Sequence, residues 1–106
     1  MDFDEYLRAV NIHLVNPTDD VHTPAYVALG LCSEAGEVAD VLRKKLFYGK
    51  PTPPEELEKE LGDVLWYVAA LSSELDVTLQ DVADANLQKL ADRASRGTLQ
   101  GNGDNR

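Results

Sequence analysis

The sequence predicts an all-α domain, and three observations predict it. Apolar residues recur at spacings of three and four through four successive stretches. Helix start signals stand before three of these, at Thr23-Pro24, at Thr52-Pro53-Pro54-Glu55 and at Thr78. No alternating pattern strong enough to specify a strand competes with them.

Taken in order, the first helix is expected from Asp2 to about Val15, with Phe3, Leu7, Val10 and Leu14 as its apolar edge, and Asn16, Pro17, Thr18, Asp19 and Asp20 end it. His13 and His22 lie near that boundary and read as surface or packing residues, so neither is placed in a metal site. The second helix runs from Thr23-Pro24 to about Leu46. Gly30 and Gly36 each weaken it by about 1 kcal/mol relative to alanine, which suggests close approach of another backbone or a ligand. Arg43, Lys44 and Lys45 suit its negative end, and Gly49 supplies the turn. In the third helix, to about Leu75, Thr52 and Glu55 read as a capping box. After Asp63 it becomes apolar on nearly all sides through Val64, Leu65, Trp66, Tyr67, Val68, Ala69, Ala70 and Leu71, which implies a partner subunit to cover it. Thr78 caps the fourth, to about Ala94, with Leu79, Val82, Ala83, Leu87 and Leu90 as its inner stripe. Residues 1–94 therefore form one helical domain, and 95–106 a Gly-rich tail without a core of its own.

Composition narrows the function. The 106 residues suit one domain, and 43% hydrophobic content suffices for a core. A formal net charge of −9 argues against nucleic acid and anionic membrane surfaces as partners and fits a site that collects cations. No apolar run approaches the roughly 20 residues of a membrane span. Asp2, Asp4 and Glu5 are unlike a basic signal peptide, so a cytoplasmic location is expected. Cys32, the single cysteine, allows no internal disulfide and reads as a small buried hydrophobe.

Two acidic pairs carry the chemistry. Glu34 and Glu37 lie one turn apart on the second helix, and Glu60 and Asp63 one turn apart on the third. Helical spacing from Glu34 meets Val27, Leu31, Val38 and Val41, while Glu60 and Asp63 lead to Val64, Tyr67 and Ala70. Carboxylates in apolar stripes are costly unless paired, and a divalent cation is one way to pair them. An all-oxygen set suits Mg2+, with Mn2+ as a substitute. The Glu-x-x-His of a di-iron bundle is absent, since positions 37 and 63 are glutamate and aspartate. No P-loop is present either, so phosphates would be held through metal and side chains.

Glu34-x-x-Glu37 followed by Glu60-x-x-Asp63, with Gly62 and Asp63 leading into Val64-Leu65-Trp66-Tyr67, resembles the MazG family of all-α nucleoside triphosphate pyrophosphohydrolases. Asn86 to Arg93 resembles that family's fourth-helix segment, and Arg96-Gly97 to Arg106 the tail of many short members. The resemblance implies a four-to-five-helix bundle completed by oligomerisation, as a homodimer or homotetramer. It further implies cleavage of a nucleoside triphosphate between the α and β phosphates, giving the monophosphate and pyrophosphate. Glu34, Glu37, Glu60 and Asp63 would hold Mg2+, and Glu37 would also serve as general base. Lys89, Arg93 and Lys44 or Lys45 are candidates for phosphate contacts, and Asn86, Trp66 and Tyr67 for the sugar and base. Two alternatives remain open: a related phosphoanhydride such as phosphoribosyl-ATP as substrate, and a non-catalytic cation-binding helical oligomer.

Overall fold

A computed structural model of the chain describes residues 1–14 and 24–106. The helices are α1 (Phe3–Leu14), α2 (Pro24–Tyr48), α3 (Pro54–Glu74) and α4 (Leu79–Arg96), with no strand among the described residues. The all-α expectation holds. The Asn16–Asp20 terminator, His22 and the Thr23 cap lie outside the described residues.

Local chemistry sets most of the boundaries. Asp2 Oδ1 accepts the Glu5 amide at 2.8 Å and starts α1. Gly49, at φ 65°, turns the chain after α2, which runs two residues beyond the expected Leu46. The expected Thr52–Glu55 capping box does not form. Pro53 is the N-cap of α3, extended at φ −61° and ψ 142°, and no side chain caps the end. The two prolines place the first helical residue at Pro54, so Thr52 stands one position too early to cap. Asp76 takes a left-handed φ of 56° in the turn to α4, a conformation aspartate tolerates. The Thr78 cap does form, with Thr78 Oγ1 accepting the Asp81 amide at 3.0 Å and the Asp81 carboxylate accepting the Thr78 amide at 3.1 Å. Gly97, at φ 72°, ends α4.

The helix α3 is the hub. It packs against α2, α1 and α4, and α1 also touches α4, but α2 meets no described helix other than α3. Val10 of α1, Val27 of α2, Ala69 and Ala70 of α3 and Leu79 of α4 form the buried core, with Tyr6, Leu7, Trp66, Tyr67, Val68 and Leu71 packed around it. Two fully buried alanines at the centre let the neighbouring helices come close. The Ser73 hydroxyl donates to Asn11 Oδ1, tying α1 to α3.

The antiparallel α2–α3 pair has a legible register. Val27 and Ala70 share the core, and one turn on, Gly30 receives the ring of Tyr67, where a Cβ would collide with the ring carbons Cε1 and Cζ. Gly30 is thus the close-approach glycine. Gly36, expected to play the same part, has nothing within 4 Å of where its Cβ would stand.

Several expectations about burial are overturned. Cys32 is exposed, because it lies off the face that α2 turns to α3. On α3 only Ala69, Ala70 and Ser72 are buried, the aromatic and branched residues being partly covered by α1 and α2. The expected inner stripe of α4 is mostly outside. Leu79 is buried, but Leu87 is 65% exposed and Val82, Ala83 and Leu90 are exposed too, since no described helix lies over that face. Phe3 is likewise exposed.

Gly30→Ala should force the Tyr67 ring away from α2 and cost about 1–3 kcal/mol, as overpacking does. Thermal unfolding followed by circular dichroism checks this, and an unchanged or raised melting temperature would show that the two helices do not meet there.

Candidate metal centre

The next turn of the same register carries the acids. Glu34 follows Gly30 by one turn on α2, and Asp63 precedes Tyr67 by one turn on α3, so seating Tyr67 on Gly30 brings Glu34 beside Asp63. Glu60 lies one further turn back on the same face of α3. One carboxylate oxygen from each of Glu34, Glu60 and Asp63 falls within 4.8 Å of the others. Oxygens around a hard cation at roughly 2.1–2.4 Å stand about 3–4.8 Å apart, so this donor set fits such an ion with little adjustment.

Glu37 completes the sequence motif without joining this group. Its side chain is exposed, at the edge of the stripe formed by the partly buried Leu31, Glu34, Val38 and Val41. Its charge still reaches Glu34. The Glu34 carboxyl is held above its ordinary pKa, first by desolvation and then by the negative charges of Asp63, Glu60 and Glu37. Three carboxylates around a fourth is the electrostatic signature of a site built for positive charge.

The first helix contributes a residue that sequence reading missed. Tyr6, half-buried against the core, has its hydroxyl pKa raised by burial and then by the charge of Asp63. Tyr6 falls three residues after Phe3 and four before Val10, so helical spacing already places it on the same face as Phe3 and Val10, and reading the edge as Phe3, Leu7, Val10 and Leu14 alone passed over it. Tyr6 also lines an open cleft of about 610 Å³ with Asp2, Phe3, Asp4, Leu65 and Gln80.

The other candidate residues are divided between two places. Tyr67 and Trp66 lie beside the acids, partly buried, with their rings edge to face at 5.1 Å and 78°. Lys44 stands farther along α2, bonded to Asp40 at 2.9 Å, while Arg43 shares Asp40 at 2.7 Å and lies over the Tyr48 ring at 5.5 Å. Lys44 also faces a small cleft with Val41, Lys50, Thr52 and Glu56. Asn86, Lys89 and Arg93 are all on α4, which touches α3 but not α2, the helix that carries Glu34. Lys89 and Arg93 are engaged by Asp104 instead.

Comparison with known proteins gives a family. The model of the MazG nucleotide pyrophosphohydrolase domain matches residues 22–97, which includes both acidic pairs. The Gene 37 protein of Mycobacterium phage L5 is 46% identical over 92 residues, covering 83% of this chain and 81% of its own length. No solved structure matches.

The raised Glu34 pKa has a signed consequence for stability. Protonation of Glu34 favours the folded state, so stability falls as pH rises from the ordinary glutamate value of 4.5 through the raised one. Asp40 and Asp104, both lowered by their basic partners, act in the opposite direction, and comparison with a Glu34→Gln variant cancels them. In metal-free buffer, Glu34→Gln should become progressively more stable than the unsubstituted chain as pH rises from 4 to neutrality. Saturating Mg2+ should reverse the order. A difference in melting temperature that ignores both pH and Mg2+ would contradict the convergence.

Proposed function

The chain belongs to the MazG nucleotide pyrophosphohydrolase family, and from that premise we propose that it is a Mg2+-dependent nucleoside triphosphate pyrophosphohydrolase. In this reading it cleaves (d)NTPs between the α and β phosphates to (d)NMP and pyrophosphate, controlling or cleansing the nucleotide pool of the cytoplasm. The observation that carries it is the convergence of Glu34, Glu60 and Asp63 from two helices onto one point.

Those three carboxylates would hold Mg2+, with Mn2+ as a substitute, and the ion when bound neutralises phosphate charge and orients water. Glu37, exposed beside the trio, is suited to take the proton of the attacking water. Water oxygen bonds to the α phosphorus as the bridging oxygen to the β phosphorus departs with pyrophosphate. Tyr67 and Trp66 offer aromatic faces for the base and sugar, and desolvation by the packed helices strengthens each charge interaction nearby.

Lys44, Asn86, Lys89 and Arg93 serve in this proposal as further substrate contacts. Those on α4 reach the acids of a second copy. Uncovered apolar side chains support such an assembly, as a homodimer or homotetramer: Leu29, Leu46 and Phe47 on α2 and Leu87 on α4 are each at least 65% exposed. Among the described residues no helix is long and apolar enough to cross a membrane.

Pyrophosphate release, measured across the common deoxynucleoside and nucleoside triphosphates with Mg2+, tests the proposal. Asp63→Asn and Glu60→Gln should each lower kcat by at least about a hundredfold while leaving the helical circular dichroism intact. Absence of release from every nucleotide would favour a non-catalytic oligomer, and full turnover in either variant would remove that residue from the site.

A further inference from the structure

Beyond Gly97 the chain folds back onto α4 instead of leaving it, and basic side chains organise the fold. Arg106 donates from Nε to the Thr98 carbonyl at 3.0 Å, from Nη2 to Leu99 at 3.0 Å and from Nη1 to Gly103 at 2.5 Å. Gly101 leaves the room Arg106 needs, and Gly103 turns the chain at φ 80°. Arg96 Nη2 donates to the Arg106 carbonyl at 2.6 Å. The segment is a folded strap, although it contributes no buried apolar side chain.

Its inner contact is Arg93, at 3% exposure one of only two polar or charged side chains buried among the described residues. Arg93 Nη2 donates to the Asp104 carbonyl at 2.6 Å and lies 3.4 Å from the Gly103 carbonyl and from Asp104 Oδ1. Lys89 Nζ, one turn earlier, reaches the same Asp104 Oδ1 at 3.3 Å. Two cations on one face of α4 thus share a single carboxylate, itself 85% exposed, and these two bonds lower its pKa. The geometry is that of an anion site. Asp104 offers the two cations one monodentate oxygen at 3.3–3.4 Å, whereas a guanidinium fork and an ammonium can donate to several phosphate oxygens at shorter range.

We propose that the Asp104 carboxylate is a built-in competitor at Lys89 and Arg93, the residues that the proposed function assigns to the phosphates, and that a polyphosphate displaces it and loosens the strap from α4. The choice of polyphosphate rests on the pyrophosphohydrolase reading; the exchange rests on the contacts of Asp104 alone. A chain of net charge −9 otherwise repels such a ligand, so cations already gathered in one place are where it would be held.

Inorganic tripolyphosphate in metal-free buffer is the probe, since without a cation the acidic centre repels it. Calorimetric titration should show saturable binding. Asp104→Asn, which keeps the backbone carbonyl that Arg93 uses, should bind about two- to fivefold tighter, the scale of one exposed ion pair, and Lys89→Gln weaker by a similar factor. Equal affinities for the unsubstituted chain and Asp104→Asn, or no binding by either, would overturn the proposal. Should Asp104→Asn fail to fold, amide exchange in the unsubstituted chain decides: tripolyphosphate should accelerate exchange over residues 98–106, and protection or no change there would overturn it. Exchange without pyrophosphate release from any nucleotide would reject the catalytic reading and leave this site standing; release without exchange would do the reverse.

Discussion

The structure depends on one contact, the ring of Tyr67 seated on the bare backbone of Gly30. It fixes how far apart α2 and α3 stand and in what register. One turn toward the core, that register pairs Val27 with Ala70, and one turn the other way it confronts Glu34 with Asp63. Packing and chemistry are therefore neighbours on one seam. The apolar side of the seam supplies the stability needed to hold like charges together on the other, where desolvation and then the neighbouring carboxylates raise the Glu34 pKa.

Much of this was legible in the sequence. Four helices follow from periodicity and from caps, and the acidic pairs announce themselves as polar residues in apolar stripes. Helical spacing, rigid over one turn, pairs Glu34 with Glu37 and Glu60 with Asp63 inside their own helices, but which of the four meet across the seam is set by packing, and Glu37 is not among the three that gather. Local signals failed where the answer lay between elements. The Thr52 box was undone by two adjacent prolines, whose fixed φ shifted the helix start by one residue. Gly30 and Gly36 look alike in sequence, and only the helix that crosses one of them tells them apart. Tyr6 stands in the apolar pattern between Phe3 and Val10, and its polar tip made it easy to pass over; what α1 lies against is what gives it weight.

The fourth helix shows a different limit. Leu87, Leu90 and Val82 form the stripe expected of a core-facing helix, yet they are exposed within one chain. A hydrophobic stripe states that a face will be covered and leaves open by whom. The opposite happened at Arg93, where charge suggested exposure and the backbone of the folded-back strap buried it. Polar segments rich in glycine can fold around a buried cation when their carbonyls have nowhere better to turn.

Register, and not the carboxylates alone, gathers Glu34, Glu60 and Asp63 into a set that could hold a cation. Titration of Mn2+ by electron paramagnetic resonance into the metal-free chain and into Gly30→Ala tests it most directly, because that substitution alters no carboxylate. Gly30→Ala should weaken Mn2+ binding by on the order of tenfold or more, as the helices part and Glu34 withdraws from Asp63 and Glu60. Unchanged Mn2+ affinity in that variant would contradict it.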